Sequence, residues 1–213
     1  MPQKAQVAAQ GSLPEGKITF EQFLQWLDED TCAEWVDGEV RIMSPVSDEH
    51  ADVTGFLLSL FRYFVEAHSL GTVRSEPFLV RLGADLPAYS PDIFFVAASR
   101  QNLFRPTYFD GAPDLVVEVI SPESRARDRG EKFENYEKAG VREYWLIDPE
   151  RRRAEFYALG EDGFYEPITA DAQGVIHSRV LEGLWVKPEW FWQKPLPALM
   201  HVLREWGLLG EGS

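Results

Sequence analysis

The sequence has little cysteine, no long apolar run and few basic residues. A single cysteine, Cys32, excludes an internal disulfide and is typical of a chain in a reducing cytoplasm. No apolar stretch approaches the roughly 18 residues of a membrane-spanning helix, so we expect no membrane partner. The first residues lack the apolar segment of a secretory signal, and residues 1–16 are interpreted as a flexible N-terminal arm.

Acidic residues outnumber basic ones by 35 to 21, which gives a net charge of −14. This balance argues against a broad nucleic-acid-binding surface. Segment 121–160 differs, because its nine basic and nine acidic residues cancel. Two arginine groups follow two predicted strands there: Arg125, Arg127 and Arg129, and then Arg151 to Arg153. A polyanion is expected to approach at this segment, although a solvated loop and turn is the simpler interpretation.

Apolar patterning predicts one α/β domain over residues 17–194, with a mixed sheet flanked by helices. Helices are predicted at 19–27, 47–68 and 130–140, with Gly71 and Gly140 as the stop signals of the last two. Strands are predicted within 72–82, 90–98, 113–121 and 142–149, and hairpins at 33–43 and, peripherally, at 153–168. Residues 195–213 are predicted to form a tail or a short helix.

The most informative feature is a carboxylate inside an apolar strand. Glu118 lies within Asp114-Leu-Val-Val-Glu-Val-Ile120, a run typical of a strand covered on both faces. A charge there costs several kcal/mol unless it meets a cation, a metal or hydrogen-bond donors. A metal ligand and a structural ion pair with Arg74, Arg81 or Lys132 are the two interpretations.

Two other residues can join Glu118 in one site. Asp92 opens the strand before it and can reach that strand's centre, and Lys132 begins the helix that follows. Two carboxylates from neighbouring strands form an oxygen-rich site suited to Mg²⁺ or Mn²⁺. A lysine beside the ion can orient an attacking water and stabilise developing charge. The simpler alternatives are a turn acid for Asp92 and an exposed ion pair with Asp128 for Lys132.

At these residues the sequence resembles the Uma family of restriction-endonuclease-like proteins, within the PD-(D/E)XK nuclease superfamily. The resemblance covers about residues 17–190. It is carried by AEWVDGEV, MSPVSDEH, SPDIFFV, APDLVVEVISPESRARDRGEK and GVREYWLIDP. It implies a restriction-endonuclease-like mixed sheet and a metal-dependent site that hydrolyses DNA, with Asp92 at the PD position and Glu118 at the (D/E) position.

The sequence departs from the superfamily pattern two residues after Glu118. The expected lysine is replaced by Ile120, and Lys132 on the next helix is its natural substitute. If Lys132 points elsewhere, the site keeps a metal and loses its catalytic cation. The rival interpretation is then a catalytically inactive module of the same fold that binds protein or nucleic acid.

Three further residues are weaker candidates for the site. Glu34 and His50 match a glutamate and a histidine of the family's first two blocks. Asp114 shares a strand face with Glu118 but lies about 13 Å away along the strand. A hairpin charge and a structural histidine are the simpler interpretations of Glu34 and His50.

The expected partner is DNA, bound weakly and in a strongly salt-dependent way. Arg125, Arg127 and Arg129 would hold backbone phosphates, which carry no sequence information. A homodimer is a further expectation, because paired subunits are common among nucleases that cut both strands.

Overall fold

The computed structural model describes residues 13–28 and 30–209. Its strands, in chain order, are β1 (Ala33–Val36), β2 (Glu39–Ile42), β3 (Gly71–Ser75), β4 (Leu79–Arg81), β5 (Ala88–Tyr89), β6 (Ile93–Ala97), β7 (Tyr108–Asp110), β8 (Leu115–Val119), β9 (Glu143–Asp148), β10 (Arg153–Leu159), β11 (Tyr165–Pro167), β12 (Ile176–His177) and β13 (Trp185–Val186). The α-helices are α1 (Phe20–Trp26), α2 (Asp48–Ala67), α3 (Arg125–Arg127), α4 (Phe133–Ala139) and α5 (Leu199–Glu205). Short 3₁₀ helices span Ala98–Leu103 and Pro188–Trp192.

The main sheet has six strands in the order β11-β10-β9-β8-β6-β3. Strands β8 and β9 are parallel and the other neighbours are antiparallel, so the sheet is mixed. Every residue of β8 and β9 is buried, as continuous apolar runs in central strands require. The expected mixed sheet flanked by helices is therefore confirmed, and the hairpin of β10 and β11 lies at its edge.

A second sheet has the order β2-β1-β5-β4-β7. The hairpin of β1 and β2 turns at Asp37 and Gly38, whose φ angles of 51° and 87° suit a tight hairpin turn. One core lies between the two sheets and contains residues such as Tyr89, Phe94 and Tyr144. This sheet brings β1 close to the centre of the main sheet.

The long helix α2 packs on the other face of the main sheet. Its apolar stripe, which includes Val53, Leu57 and Phe64, joins the larger core with Trp145 of β9. Helix α5 buries Val202 and Leu203 in the same core, so the short-helix interpretation of residues 195–213 corresponds to this element. Of the expected flexible arm, residues 1–12 lie outside the described residues.

The stop signal at Gly71 was misplaced. Helix α2 ends at its C-cap His68, and the left-handed residue is Ser69, with φ 54°. Gly71 instead begins β3, where a Cβ atom would collide with the Val96 carbonyl oxygen. Close contact between strands, and not helix termination, requires this glycine.

Candidate active site

Glu118 lies near the end of β8 with only 3% of its surface exposed. Its side chain shares a strand face with Val116 and Ile120, and that face points to the core between the two sheets. Its Oε1 atom accepts hydrogen bonds from Lys132 Nζ at 2.8 Å and from the Tyr136 hydroxyl at 2.9 Å. The buried carboxylate therefore has the cationic partner that its position requires.

Asp92 lies just before β6, beside Glu118. The antiparallel register pairs Ile93 with Val117, and extending it by one residue places Asp92 opposite Glu118. Asp92 Oδ2 accepts the main-chain N–H of Val119 at 2.6 Å. The two carboxylates thus lie at the same end of adjacent strands, as the sequence predicted.

Lys132 ends a π-helical turn, Asp128–Lys132, between α3 and α4. A π turn inserts an extra residue into a helix and is frequent at functional sites. Here it accompanies the burial of both Asp128 and Lys132. Besides Glu118, Lys132 Nζ lies 3.2 Å from Glu34 Oε1 and 3.8 Å from Asp128 Oδ1. Burial lowers the pKa of Lys132, but the surrounding carboxylates raise it well above its ordinary value, so the amino group stays charged.

Glu34 reaches the site from β1 of the second sheet and is fully buried. Its Oε1 accepts the Ser90 N–H at 3.3 Å. Its Oε2 has no hydrogen-bond donor among the residues the structure describes, and Arg127 Nη1 lies 3.7 Å away. Glu34 therefore belongs to the charge cluster around Lys132 and is more than a hairpin charge.

His50 faces Asp92 from the first turn of α2, where Ser47 caps the helix. The His50 Nε2 atom is 3.3 Å from Asp92 Oδ2, and the Thr54 hydroxyl is 3.4 Å from its Nδ1. Burial lowers the pKa of His50, but the hydrogen bond and negative charge of Asp92 outweigh it and raise the pKa. The imidazole is thus held as a hydrogen-bond partner of Asp92.

Negative charge exceeds positive charge in this cluster. Burial raises the pKa of Glu118; Lys132 opposes this, while Asp92 and Asp128 reinforce it. The residues concerned line an open cleft of about 530 Å³. Its charged lining is Glu76, Asp92, Glu118, Glu123, Arg127, Asp128 and Lys132, together with His50.

The donor set fits a hard divalent cation that keeps part of its water shell. Asp92 and Glu118 offer oxygen ligands only, as Mg²⁺ and Mn²⁺ prefer, and Mg²⁺ is commonly held by one or two carboxylates plus waters. Glu34 Oε2 and Asp128 Oδ1 are buried carboxylate oxygens without a donor, which a nearby cation would stabilise. Within residues 13–28 and 30–209, no three His, Cys, Asp or Glu side chains converge on one point. Water would therefore complete the coordination.

Asp114 lies apart from the cluster, at the opposite end of β8. Its Oδ2 accepts the Ala97 N–H at 2.8 Å, and its Oδ1 lies 3.2 Å from Arg100 and 3.5 Å from Arg142. The two arginines and the main-chain amide therefore satisfy the hydrogen-bonding and charge requirements of this buried carboxylate. The structure thus places Asp114 away from the candidate metal site.

The three arginines of the following helix divide between two places. Arg127 lines the cleft, whereas Arg125 and Arg129 are directed to the buried carboxylate of Asp148, at 3.1 and 3.3 Å. Asp148 is the last residue of β9, and it needs cationic partners because its carboxylate is fully buried. A phosphate-binding role for the three arginines stays a prediction.

The sequence did not identify Glu76 or the role of Tyr136. Glu76 follows β3, and the β3–β6 register extended by one residue places it opposite Asp92. Burial and the charge of Asp92 raise its pKa. An acid beside Pro77 at a strand end was a visible signal, but only the strand pairing brings it to Asp92. Tyr136 lies fully buried on α4, and its hydroxyl donates a hydrogen bond to Glu118.

Comparisons with known proteins bear on the family and the fold of this chain. The family model Uma2, described as "Putative restriction endonuclease", matches residues 20–189. An uncharacterized protein of Synechocystis sp. is 27% identical over 159 residues, which cover 74% of this chain and 82% of that protein. The crystal structure of "a putative nuclease belonging to DUF820" from Anabaena variabilis superposes with a TM-score of 0.68 at 19% identity. That match covers 82% of this chain and 97% of the other, and it shows a shared fold.

Proposed function

Because the chain belongs to the Uma2 family of restriction-endonuclease-like proteins, we propose that it is a Mg²⁺- or Mn²⁺-dependent endonuclease that hydrolyses DNA phosphodiester bonds. The family supports nuclease chemistry in general, and the cluster around Glu118 supports the metal-dependent form. DNA is the proposed substrate, approached through the cleft that this cluster lines.

One observation carries the proposal: Lys132 Nζ lies 2.8 Å from Glu118 Oε1 although it comes from a different element. The superfamily pattern expects a lysine two residues after the acid, and Ile120 at that position is buried in the core. Strand β8 itself lacks this lysine, and the helical segment that follows β8 supplies one to the Glu118 carboxylate. A lysine there could have pointed to solvent, and this one is only 1% exposed.

Each side chain has a role that its contacts allow. Asp92 and Glu118 would hold the cation, and His50 would keep the Asp92 carboxylate oriented. A bound divalent cation supplies charge neutralisation at the phosphate and activation of water. Lys132, held between Glu118 and Glu34, would orient the attacking water and stabilise the charge that develops on the phosphate. Arg127 at the cleft would contact a neighbouring phosphate oxygen.

Cleavage of supercoiled plasmid in Mg²⁺ or Mn²⁺ tests this function. We expect nicking by the wild type and a loss of at least about 100-fold in Asp92→Asn and Lys132→Met, since each removes a positioned charge. Lys138→Met is the matched control, because Lys138 is exposed on α4 of the same helical segment. Equal activity in all variants would indicate a contaminating nuclease.

Removing Lys132 alone leaves buried carboxylates unopposed and can weaken folding. The double variant Glu118→Gln, Lys132→Met removes one charge of each sign and avoids this imbalance. It should be folded by circular dichroism and inactive. If the wild type binds neither Mg²⁺ nor Mn²⁺ in calorimetry and cuts no DNA, the proposal fails and an inactive module of this fold is the better account.

A further inference from the structure

A second, shallower cavity of about 380 Å³ lies beside the cleft. It is lined by Pro122, Arg125, Ala126, Arg129, Arg151 and Arg153. Pro122 also lines the cleft, so the two cavities adjoin at this residue. We call Arg125, Arg129, Arg151 and Arg153 the arginine patch.

The patch is positively charged within an acidic protein. Together with the neighbouring Arg152, the patch has five arginines against three nearby carboxylates. Its local net charge is therefore +2, whereas the net charge of the whole chain is −14. The three carboxylates are Asp148, Glu150 and Glu155, and each pairs with Arg125, Arg129 or Arg153. An anion approaching this side of the cleft therefore meets attraction, whereas most of the surface repels it.

The ion pairs also orient the guanidinium groups. Arg125 bridges Asp148 and Glu150 at 3.1 and 2.7 Å, and Arg129 reaches Glu155 at 2.8 Å. Arg151 is exposed, and within residues 13–28 and 30–209 no carboxylate oxygen lies within 4 Å of its guanidinium. The patch thus combines arginines held by carboxylates with one whose guanidinium has no carboxylate partner among the described residues, an arrangement suited to phosphate oxygens.

We propose that the arginine patch binds backbone phosphates of DNA that flank the phosphodiester in the cleft. This inference rests on the proposed function for the identity of the polymer, and it adds where the strand leaves the cleft. Pro122 lines both cavities, so a DNA backbone that passes Pro122 runs from the Glu118 cluster to Arg151 and Arg153. Contacts of this kind position the duplex and carry no base specificity.

Fluorescence anisotropy with a labelled DNA duplex in EDTA tests the patch without requiring cleavage. The double variant Arg151→Ala, Arg153→Ala should bind at least about tenfold more weakly at low salt. The slope of log K against log salt concentration is negative, and its magnitude should decrease by about 1.8. The matched control is Arg62→Ala, Arg204→Ala, which changes the net charge equally with exposed arginines outside both cavities.

A specific loss in the patch variant supports the inference, even if plasmid is not cut and the proposed function fails. Equal losses in both double variants would show a net-charge effect only and would overturn it. An unchanged slope in the patch variant would overturn it as well. Tighter binding of a single-stranded RNA of equal length would reject DNA as the ligand.

Discussion

At the scale of single residues, the site concentrates more negative charge than its cations balance. Glu118 and Glu34 both contact Lys132, while Asp128 adds a further buried carboxylate. Such an arrangement costs stability in the absence of a bound cation, because like charges in a poorly solvated place repel one another. Strain of this kind is typical of a site shaped for binding and not for stability.

Glu118→Gln should leave the protein equally stable or stabilise it by about 1 kcal/mol at neutral pH. The amide oxygen can still accept from Lys132 and Tyr136, and one repelling charge is removed. Burial raises the pKa of Glu118, so ionisation destabilises the native state increasingly as the pH rises from the ordinary carboxyl pKa to the raised one, and this cost disappears as the pH falls below the ordinary range. The stability that Glu118→Gln gains over the wild type, measured by urea denaturation, should therefore be largest at alkaline pH. A loss of several kcal/mol would identify a purely structural ion pair.

Lys132→Met should show the opposite effect, a loss of about 3–5 kcal/mol. It leaves Glu118 and Glu34 buried without their cation, which is the costly way to break a buried pair. The same denaturation measurement applies. Lys138→Met, on the exposed face of α4, should stay within about 0.5 kcal/mol of the wild type.

Cys32 should be an unreactive thiol. Burial, then the charge and hydrogen bond of Glu76, raise its pKa to about 12. A raised pKa means less thiolate at any given pH, and the thiolate is the reactive species. Alkylation by iodoacetamide near pH 9 should be at least about 100-fold slower than in the urea-unfolded chain, whose thiol has an ordinary pKa. Glu76→Gln should recover only part of the rate, since burial is the larger cause; equal rates in native and unfolded chains would contradict this.

At the scale of elements, local patterns predicted those structures whose causes are local. The capping box of Thr19 and Gln22 begins α1, and Gly140, with φ 84°, ends α4. The apolar runs of β8 and β9 likewise identified central strands. In each case a few neighbouring residues suffice to decide the backbone conformation.

Elements that depend on distant partners were not predictable in the same way. The pairing of β1 with β5 and of β4 with β7 creates the second sheet, and no local pattern specifies it. The π turn before α4 is similar, because Lys132 is buried there by its contacts to Glu118 of β8 and Glu34 of β1. Sequence therefore indicated Asp92, Glu118 and Lys132 as candidates, while Glu76 needed the strand register.

Asp148→Asn should loosen the helical segment that carries Lys132. Asp148 accepts from Arg125 and Arg129 of that segment and from the Arg151 N–H. Burial raises its pKa, but these donors outweigh burial and lower it, so its contribution is present above the ordinary carboxyl range and is lost in acid. We expect a loss of about 2–4 kcal/mol at neutral pH in urea denaturation.

Glu150→Gln is the control for this clamp, because Glu150 pairs with the same Arg125 but is exposed. It should cost less than about 1 kcal/mol. A similar loss in both variants would mean that burial of Asp148 is not what fixes the helical segment.

At the scale of the whole molecule, two sheets enclose one core and α2 covers the other face. His50 comes from α2, Glu34 from the second sheet, and Glu118 from the main sheet, so the site lies where three layers meet. Among the described residues, no helix has both the length and the apolar character needed to cross a membrane. Ligation at such a junction links elements that are distant in sequence, and it should therefore stabilise the fold globally.

Saturating Mg²⁺ or Mn²⁺ should raise the thermal midpoint of the wild type. An ion at about 100 times its Kd adds about 2.7 kcal/mol to the native state. For a chain of this size that corresponds to roughly 5 °C or more. Asp92→Asn should abolish the shift in scanning calorimetry, because it removes a proposed ligand. Asp114→Asn should lower the midpoint but keep the shift, since this acid of the same strand pair is held by Arg100 and Arg142 away from the cleft. Equal shifts in the two variants would show that the ion binds elsewhere.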